Sequence, residues 1–154
     1  PFIMNTPVEK KGFIQINIVV SDIERAAEKW ADLLGIEKPQ IRVNHLEGGE
    51  NYKYRGRPVS CDLKVCNIEM ENFVIELHEP AGGESSFQEF LDKHGNGVHH
   101  IGFEVGDKRD TVIAELAAAG YDTDRTVGIY PGSSWTIVDG EDDLGVNLNI
   151  KPVR

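Results

Sequence analysis

Two histidines stand side by side in GNGVHHIGFEV (residues 95–105). In a strand, successive side chains point to opposite faces, so only one of His99 and His100 can face a given interior. An inward imidazole is a metal ligand, a proton carrier or a hydrogen-bonded core group, and its partners decide which. The candidates recur at strand spacing. VIELHEP carries Glu76 and His78 on one face of a strand, and Glu104 shares the parity of His100. A carboxylate or an imidazole so placed can act as a general base. FIQINIVV carries Gln15 and Asn17, and GVNLNI carries Asn147 and Asn149, again two apart. Amides offer neutral oxygens and N–H donors but cannot serve as bases. Cys61 and Cys66 lie five positions apart, on opposite faces of the run VSCDLKVC. That spacing is a poor match to a C-x2-C metal pair. Free thiols and a reduced, cytoplasmic setting are the expectation. There is no G-x-G-x-x-G, Walker or G-x-S-x-G sequence, and DGEDD (139–143) lacks EF-hand spacing.

The elements that must hold these groups read clearly. Residues 1–12 are an irregular lead-in, and FIQINIVV (13–20) is a buried strand. SDIERAAEKWADLLG is an amphipathic helix, with Ser21 and Glu24 as a capping box and Gly35 as its stop. Ile23, Ala26, Ala27, Trp30, Leu33 and Leu34 form its apolar stripe. Strand pieces near 39–44 follow. VSCDLKVCNIEM and NFVIELHEP read as two strands joined by a turn at Glu71–Asn72. GGESSFQEFLDKHG (82–95) is a helical insertion with Ser86 and Glu89 as a second capping box. HIGFEV (100–105) is a strand and GDKRDTVIAELAAAG (106–120) a helix. Gln15 to Gly35 and His100 to Gly120 are the same strand–helix–glycine unit, offset by 85 residues. NFVIELHEP and GVNLNIKP close the two halves alike. This is a weak internal repeat.

The chain has 154 residues, with 40% hydrophobic and 27% charged, the composition of one compact globular domain or two small halves sharing a core. A net charge of −10 opposes nucleic-acid binding and mildly opposes polyanionic ligands such as an acyl-CoA. No apolar run is long enough to span a membrane, and no secretory signal pattern opens the chain.

Two β-α-β-β-β halves, with GVHHIGFEV, VIELHEP, YRGRPVS and VDGEDDLGVNLNI, resemble the vicinal oxygen chelate superfamily. That group includes glyoxalase I, methylmalonyl-CoA epimerase, extradiol dioxygenases and fosfomycin and bleomycin resistance proteins. The resemblance covers residues 13–151. It implies an α+β fold in which a first module (13–81), an inserted helix linker (82–97) and a second module (98–154) build one curled, cup-shaped mixed sheet with helices outside. It places metal ligands at Gln15, Glu76, His100 and Asn149, where the usual pattern is His, Glu or Gln, His and Glu. Two positions match and two depart. The expected ion is divalent (Mn, Mg, Ni, Co or Zn) in a degenerate site, with no nucleotide cofactor. His99 is expected to point away, toward the helix layer. Because Asn149 replaces the glutamate that often moves the proton, the base is sought among Glu76, His78 and Glu104. Asn17, Asn147, Arg57 and Trp135 are expected to contact substrate. YPGSSW (130–135) resembles a mobile loop with a Gly132 hinge, and Arg55 and Arg57 resemble residues near a cavity mouth.

The activity so implied is that of a metal-dependent isomerase or lyase of the glyoxalase or epimerase kind. It would act through an enolate on a small oxo- or hydroxy-acid or its thioester. The alternative is a metal-free small-molecule binding or sequestering module on the same fold. A homodimer is expected by analogy, with no nucleic-acid or membrane partner.

Overall fold

β-Strand 1 (β1, Phe13–Val19) is the first of nine strands in one sheet. The computed structural model describes residues 4–154, so the first three residues of the expected lead-in lie outside the described residues. In chain order β1 is followed by α1 (Ile23–Leu34), β2 (Arg42–Leu46), β3 (Tyr52–Tyr54), β4 (Cys61–Glu69), β5 (Val74–Gly83) and α2 (Ser86–His94). Then come β6 (Gly97–Glu104), α3 (Arg109–Ala118), β7 (Thr126–Tyr130), β8 (Ser133–Val138), α4 (Glu141–Leu144) and β9 (Asn147–Lys151).

The sheet order is β2-β4-β5-β1-β6-β9-β8-β7-β3. β1 and β6, the first strands of the two halves, meet antiparallel at the centre, and each is flanked by its own half's last strand in parallel. The repeat seen in the sequence is thus a near twofold arrangement of strands. β3 breaks it, because it leaves the first half to pair with β7 of the second. The linker from β2 to β3 therefore joins the two ends of the sheet and curls it into a cup.

The outer face is covered by α1 and α3. Ile23 and Ala27 of α1 pack on Cys66, Ile68, Ile75 and Leu77. Val112 and Leu116 of α3 pack on Val138 and Ile150. α2 differs from the expected outer placement. Its Phe87 and Phe90 join Val19, Tyr52, Tyr54, Cys61 and Leu63 in the inner cluster, so it closes the base of the cup. Cys61 lies in the inner cluster and Cys66 in the outer one, as their spacing requires, and both are free thiols.

Two caps differ from expectation by one residue. Asp22, not Ser21, caps α1, its carboxylate accepting from the Arg25 N–H at 3.1 Å. Ser85, not Ser86, caps α2, accepting from the Gln88 N–H at 3.0 Å. An N-cap must bond a backbone N–H two or three residues on, and in SD and SS pairs both neighbours offer an oxygen. Gly35 ends α1 as expected, in the left-handed region at φ 66°. Leu33, expected on the buried stripe, is 74% exposed, because the helix end rises clear of the sheet. YPGSSW forms the tight β7–β8 hairpin turn rather than a loop over the cup, with Gly132 at φ 86°. Among the described residues no helix is long and apolar enough to cross a membrane.

Candidate ligand cup

The inner face of the sheet encloses a cavity of about 700 Å³, within the range of small-molecule sites. Gln15, Glu76, His100 and Asn149 all line it, so topology brings together the four positions singled out in sequence. His78 and Trp135 line it as well. Asn17 and Asn147 are fully buried just outside it. Arg57 is solvent-exposed and paired with Glu84 at 2.8 Å. Glu104 is also exposed, at the end of β6 in a separate groove with Gly12 and Lys108, so neither reaches the cup.

The opening histidine pair is resolved by a β-bulge. Asn17 pairs with His100 but Ile18 pairs with Val98, so β6 carries one residue more than β1 here. A bulge re-aims side chains that strict alternation would separate. His99 therefore does not point to the outer helix layer. Its ring is buried on the same side as that of His100, the two Nδ1 atoms 2.8 Å apart, and it stacks on Phe87 with ring centroids at 4.5 Å. A second bulge at Ile14 turns both Ile14 and Gln15 toward the cavity. Gly102 makes the room, since a Cβ there would sit 2.9 Å from the Gln15 Cβ.

A backbone amide sets the direction of the polar chain across the floor. The Thr136 N–H donates to Asn149 Oδ1 at 3.2 Å. This turns Asn149 Nδ2 toward Gln15 Oε1, at 3.3 Å. The same oxygen lies 2.9 Å from His100 Nε2, which must then be the protonated nitrogen. His100 Nδ1 is left as an acceptor, and the Nδ1–H of His99 donates to it. His99 Nε2 consequently carries a lone pair, and it is buried without a partner. Beside this chain, Asn17 Nδ2 donates to Glu76 Oε1 at 2.9 Å and meets His78 Nδ1 at 2.6 Å. The Glu76 carboxylate fixes that amide's orientation, so His78 accepts at Nδ1 and bears its proton at Nε2.

Burial opposes charge on all three imidazoles. It lowers His78, with the Glu76 charge acting against it. It pushes His99 down to about 3, reinforced by the Arg125 guanidinium. It drives His100 well below the ordinary range, with His99, His78 and Lys151 adding to it. The floor is a neutral-imidazole, amide and single-carboxylate surface.

A resident divalent ion does not fit these residues as they stand. The Gln15 oxygen already receives two N–H groups, the Asn149 oxygen receives one, and the His100 nitrogen nearest them is protonated. Glu76 turns to Asn17 and His78 instead. Among the described residues no three His, Cys, Asp or Glu side chains gather as a metal site requires.

The mouth shows what sequence reading missed. Arg42, Lys151 and Arg154 line it, and Arg154 is paired with Glu69 at 3.4 Å. Arg42 and Lys151 form no salt bridge with the described residues, and Lys151 lies 5.9 Å from the centre of the Tyr130 ring. Lys151 shares the parity of Asn149 and was legible on that ground. Arg42, on an exposed edge strand, was not.

Residues 14–137 match the family model for the glyoxalase/bleomycin resistance protein/dioxygenase superfamily. A hypothetical protein from Bacillus halodurans superposes with a TM-score of 0.61 at 22% identity, covering 90% of this chain and 91% of that one. Methylmalonyl-CoA epimerase from Mycobacterium tuberculosis gives 0.60 at 21% identity, covering 99% and 93%. A variant Streptomyces coelicolor methylmalonyl-CoA epimerase, in complex with 2-nitronate-propionyl-CoA, gives 0.61 at 23% identity, covering 90% and 92%. No curated protein sequence matches the chain. At these identities the structural likeness carries the fold.

Proposed function

The chain belongs to the glyoxalase/bleomycin resistance protein/dioxygenase superfamily, and from that premise we propose that it is an isomerase- or lyase-type enzyme acting on a small oxo- or hydroxy-acid or its thioester. The carrying observation is Glu76. It is the carboxylate on the cup floor, with one oxygen held by Asn17. The other carboxylate lining the cavity, Glu69, is engaged by Arg154.

In this reading Arg42 and Lys151 receive the ligand's anionic end at the mouth. Cations there offset locally the repulsion expected from a chain of net charge −10. Trp135 and Phe87 give apolar walls, which keep water from the reacting carbon. Glu76 takes the proton from the carbon beside the carbonyl, leaving an enolate, and returns it to the same or a neighbouring atom. The solved epimerase complex holds a CoA thioester analogue, and an acyl group of that size fits a cavity of about 700 Å³.

The test is solvent deuterium incorporation into a panel of 2-oxo acids, 2-hydroxy acids and malonyl-type thioesters. Incorporation into one class is expected, with Glu76→Gln slowing it by about 10²–10⁴-fold. Incorporation that Glu76→Gln leaves unchanged removes Glu76 from the role. A second reading, ligand binding without turnover, is favoured by Asn149, which puts an amide where the resemblance expects a second proton-transfer group. Saturable binding without incorporation would select it.

A further inference from the structure

We infer that the cup floor is a hydrogen-bond-donor site for ligand oxygens, with the Gln15 amide N–H standing where the resemblance places a metal ligand and the His78 Nε2–H on the other side of Glu76. The inference rests on the proposed reading that an oxygen-bearing ligand enters the cup. It follows from where each lone pair is already spent.

Gln15 Oε1 faces His100 and Asn149, so its NH₂ group faces the other way. No described residue accepts from that nitrogen, yet it is not among the enclosed, unpartnered atoms. Gln15 lines the cavity, so the two N–H bonds open into it. The same reasoning holds for His78. Its Nδ1 is taken by Asn17, its Nε2 has no partner among the described residues, and it too is not enclosed. Glu76 lies between the two along the strands. Gln15 pairs with Val74, Asn17 with Glu76 and Val19 with His78 in parallel register. Donor, carboxylate and donor therefore follow one another at two-residue steps, about 6–7 Å apart along the strand. A ligand whose oxygens flank Glu76 meets a fixed, neutral donor on each side. These stabilise developing negative charge as backbone oxyanion holes do, without a cation.

The chemistry recognised is thus an oxygen acceptor next to an acidic C–H or a hydroxyl, in a small anionic molecule. The amides of the floor, a liability for a metal site, are what this site uses.

Nitrogen-15 NMR of the full chain at neutral pH tests it without a known substrate. His78 and His100 are expected as Nε2–H tautomers and His99 as Nδ1–H. One equivalent of MnCl₂ is expected to leave their signals unbroadened. Oxalate at 10 mM in the presence of EDTA (on the order of the weak affinity expected of a fragment) is expected to shift the Gln15 NH₂ and His78 Nε2–H signals together. An unprotonated Nε2 on His100, selective broadening of His100 by Mn²⁺, or oxalate shifts that are absent or appear only with Mn²⁺ would each overturn the inference. Deuterium incorporation is read separately. A positive NMR result without incorporation leaves the donor site standing and removes the enzymatic reading.

Discussion

Asn17 shows how much one buried amide decides at the residue scale. It is fully buried, and its NH₂ group serves both Glu76 and His78. Replacing it by leucine keeps the approximate volume and removes both hydrogen bonds. Loss of the donor costs the acceptors about 1–3 kcal/mol, but the leucine also removes the buried, unpartnered Asn17 Oδ1, so Asn17→Leu is expected to lower the urea midpoint only slightly. The same change frees the Glu76 carboxylate and the His78 tautomer, so deuterium incorporation is expected to fall while ligand affinity changes less. Unchanged incorporation in a folded Asn17→Leu protein would show that the pair needs no such positioning. Strand parity in the sequence placed Glu76, His78 and His100 on the cavity side correctly. It failed for His99, because an extra residue in β6 is a property of the pairing with β1 and has no signature in either strand alone.

At the scale of elements, two short-range devices hold the cup's wall. Asp22 caps α1, and Asp22→Ala is expected to cost about 1 kcal/mol in thermal or urea unfolding, with Ser21→Ala nearly silent. The contrast checks the cap assignment directly. In the β7–β8 hairpin, Gly128 lies opposite Trp135, and a Cβ on it would stand 2.1 Å from the indole nitrogen. The ring lies flat on the glycine backbone and from there lines the cavity. Gly128→Ala is expected to push Trp135 from the wall. In a Trp30→Phe background, its fluorescence would shift and ligand affinity would drop. An unmoved emission spectrum would argue against this packing. The hairpin itself was half legible: Pro131-Gly132 announces a turn, but not whether the turn is tight or a long loop. Its length is fixed only by the register of Tyr130 with Ser133.

At the scale of the whole molecule, the three buried histidines link stability to pH. Burial holds His78, His99 and His100 below the ordinary 6.5. The unfolded chain takes up protons near 6.5 while the folded one does not, so stability is full above 6.5 and is lost as pH falls toward the folded values, about 3 for His99. Each such histidine contributes a slope of up to about 1.4 kcal/mol per pH unit. Burial pushes Glu89 and Glu141 upward, but hydrogen bonds from Arg55 to Glu89 and from His94 to Glu141 leave both below 4.5. Their losses therefore begin at lower pH. His45, raised chiefly by its hydrogen bond to Asp62, stabilises at low pH and loses that contribution only above 6.5. Urea midpoints between about pH 6.5 and 5 thus report the buried imidazoles, and a flat midpoint across that interval would contradict their neutral state. Arg125 supports the same region from beneath. It is buried and lies 3.4 Å from Glu89 on α2, 3.3 Å from Asp139 and 3.2 Å from Glu141. Its carboxylate partners keep 15–37% of their side-chain exposure and Glu89 and Glu141 keep Arg55 and His94, so solvent screens the loss; Arg125→Met is expected to cost about 1–3 kcal/mol and to loosen the base of the cup.

Local chemistry in the sequence determined the elements: apolar periodicity made β1, β5, β6 and α1, glycine ended the helices, and the offset of 85 between Gln15 and His100 announced two similar halves. The resemblance then named the four floor positions, and strand alternation, which is intrinsic to the backbone, placed His78 on the face of Glu76. Tertiary structure alone decided the rest. The β6 bulge brought His99 back beside His100, and the curl of the sheet put Arg42 from the edge strand β2 and Lys151 from the interior strand β9 on one cavity. A single backbone N–H, that of Thr136, oriented the floor's chain of amides and imidazoles. Each of these depends on which strand lies next to which, and residues far apart in the chain carry no local mark of the neighbour they will meet.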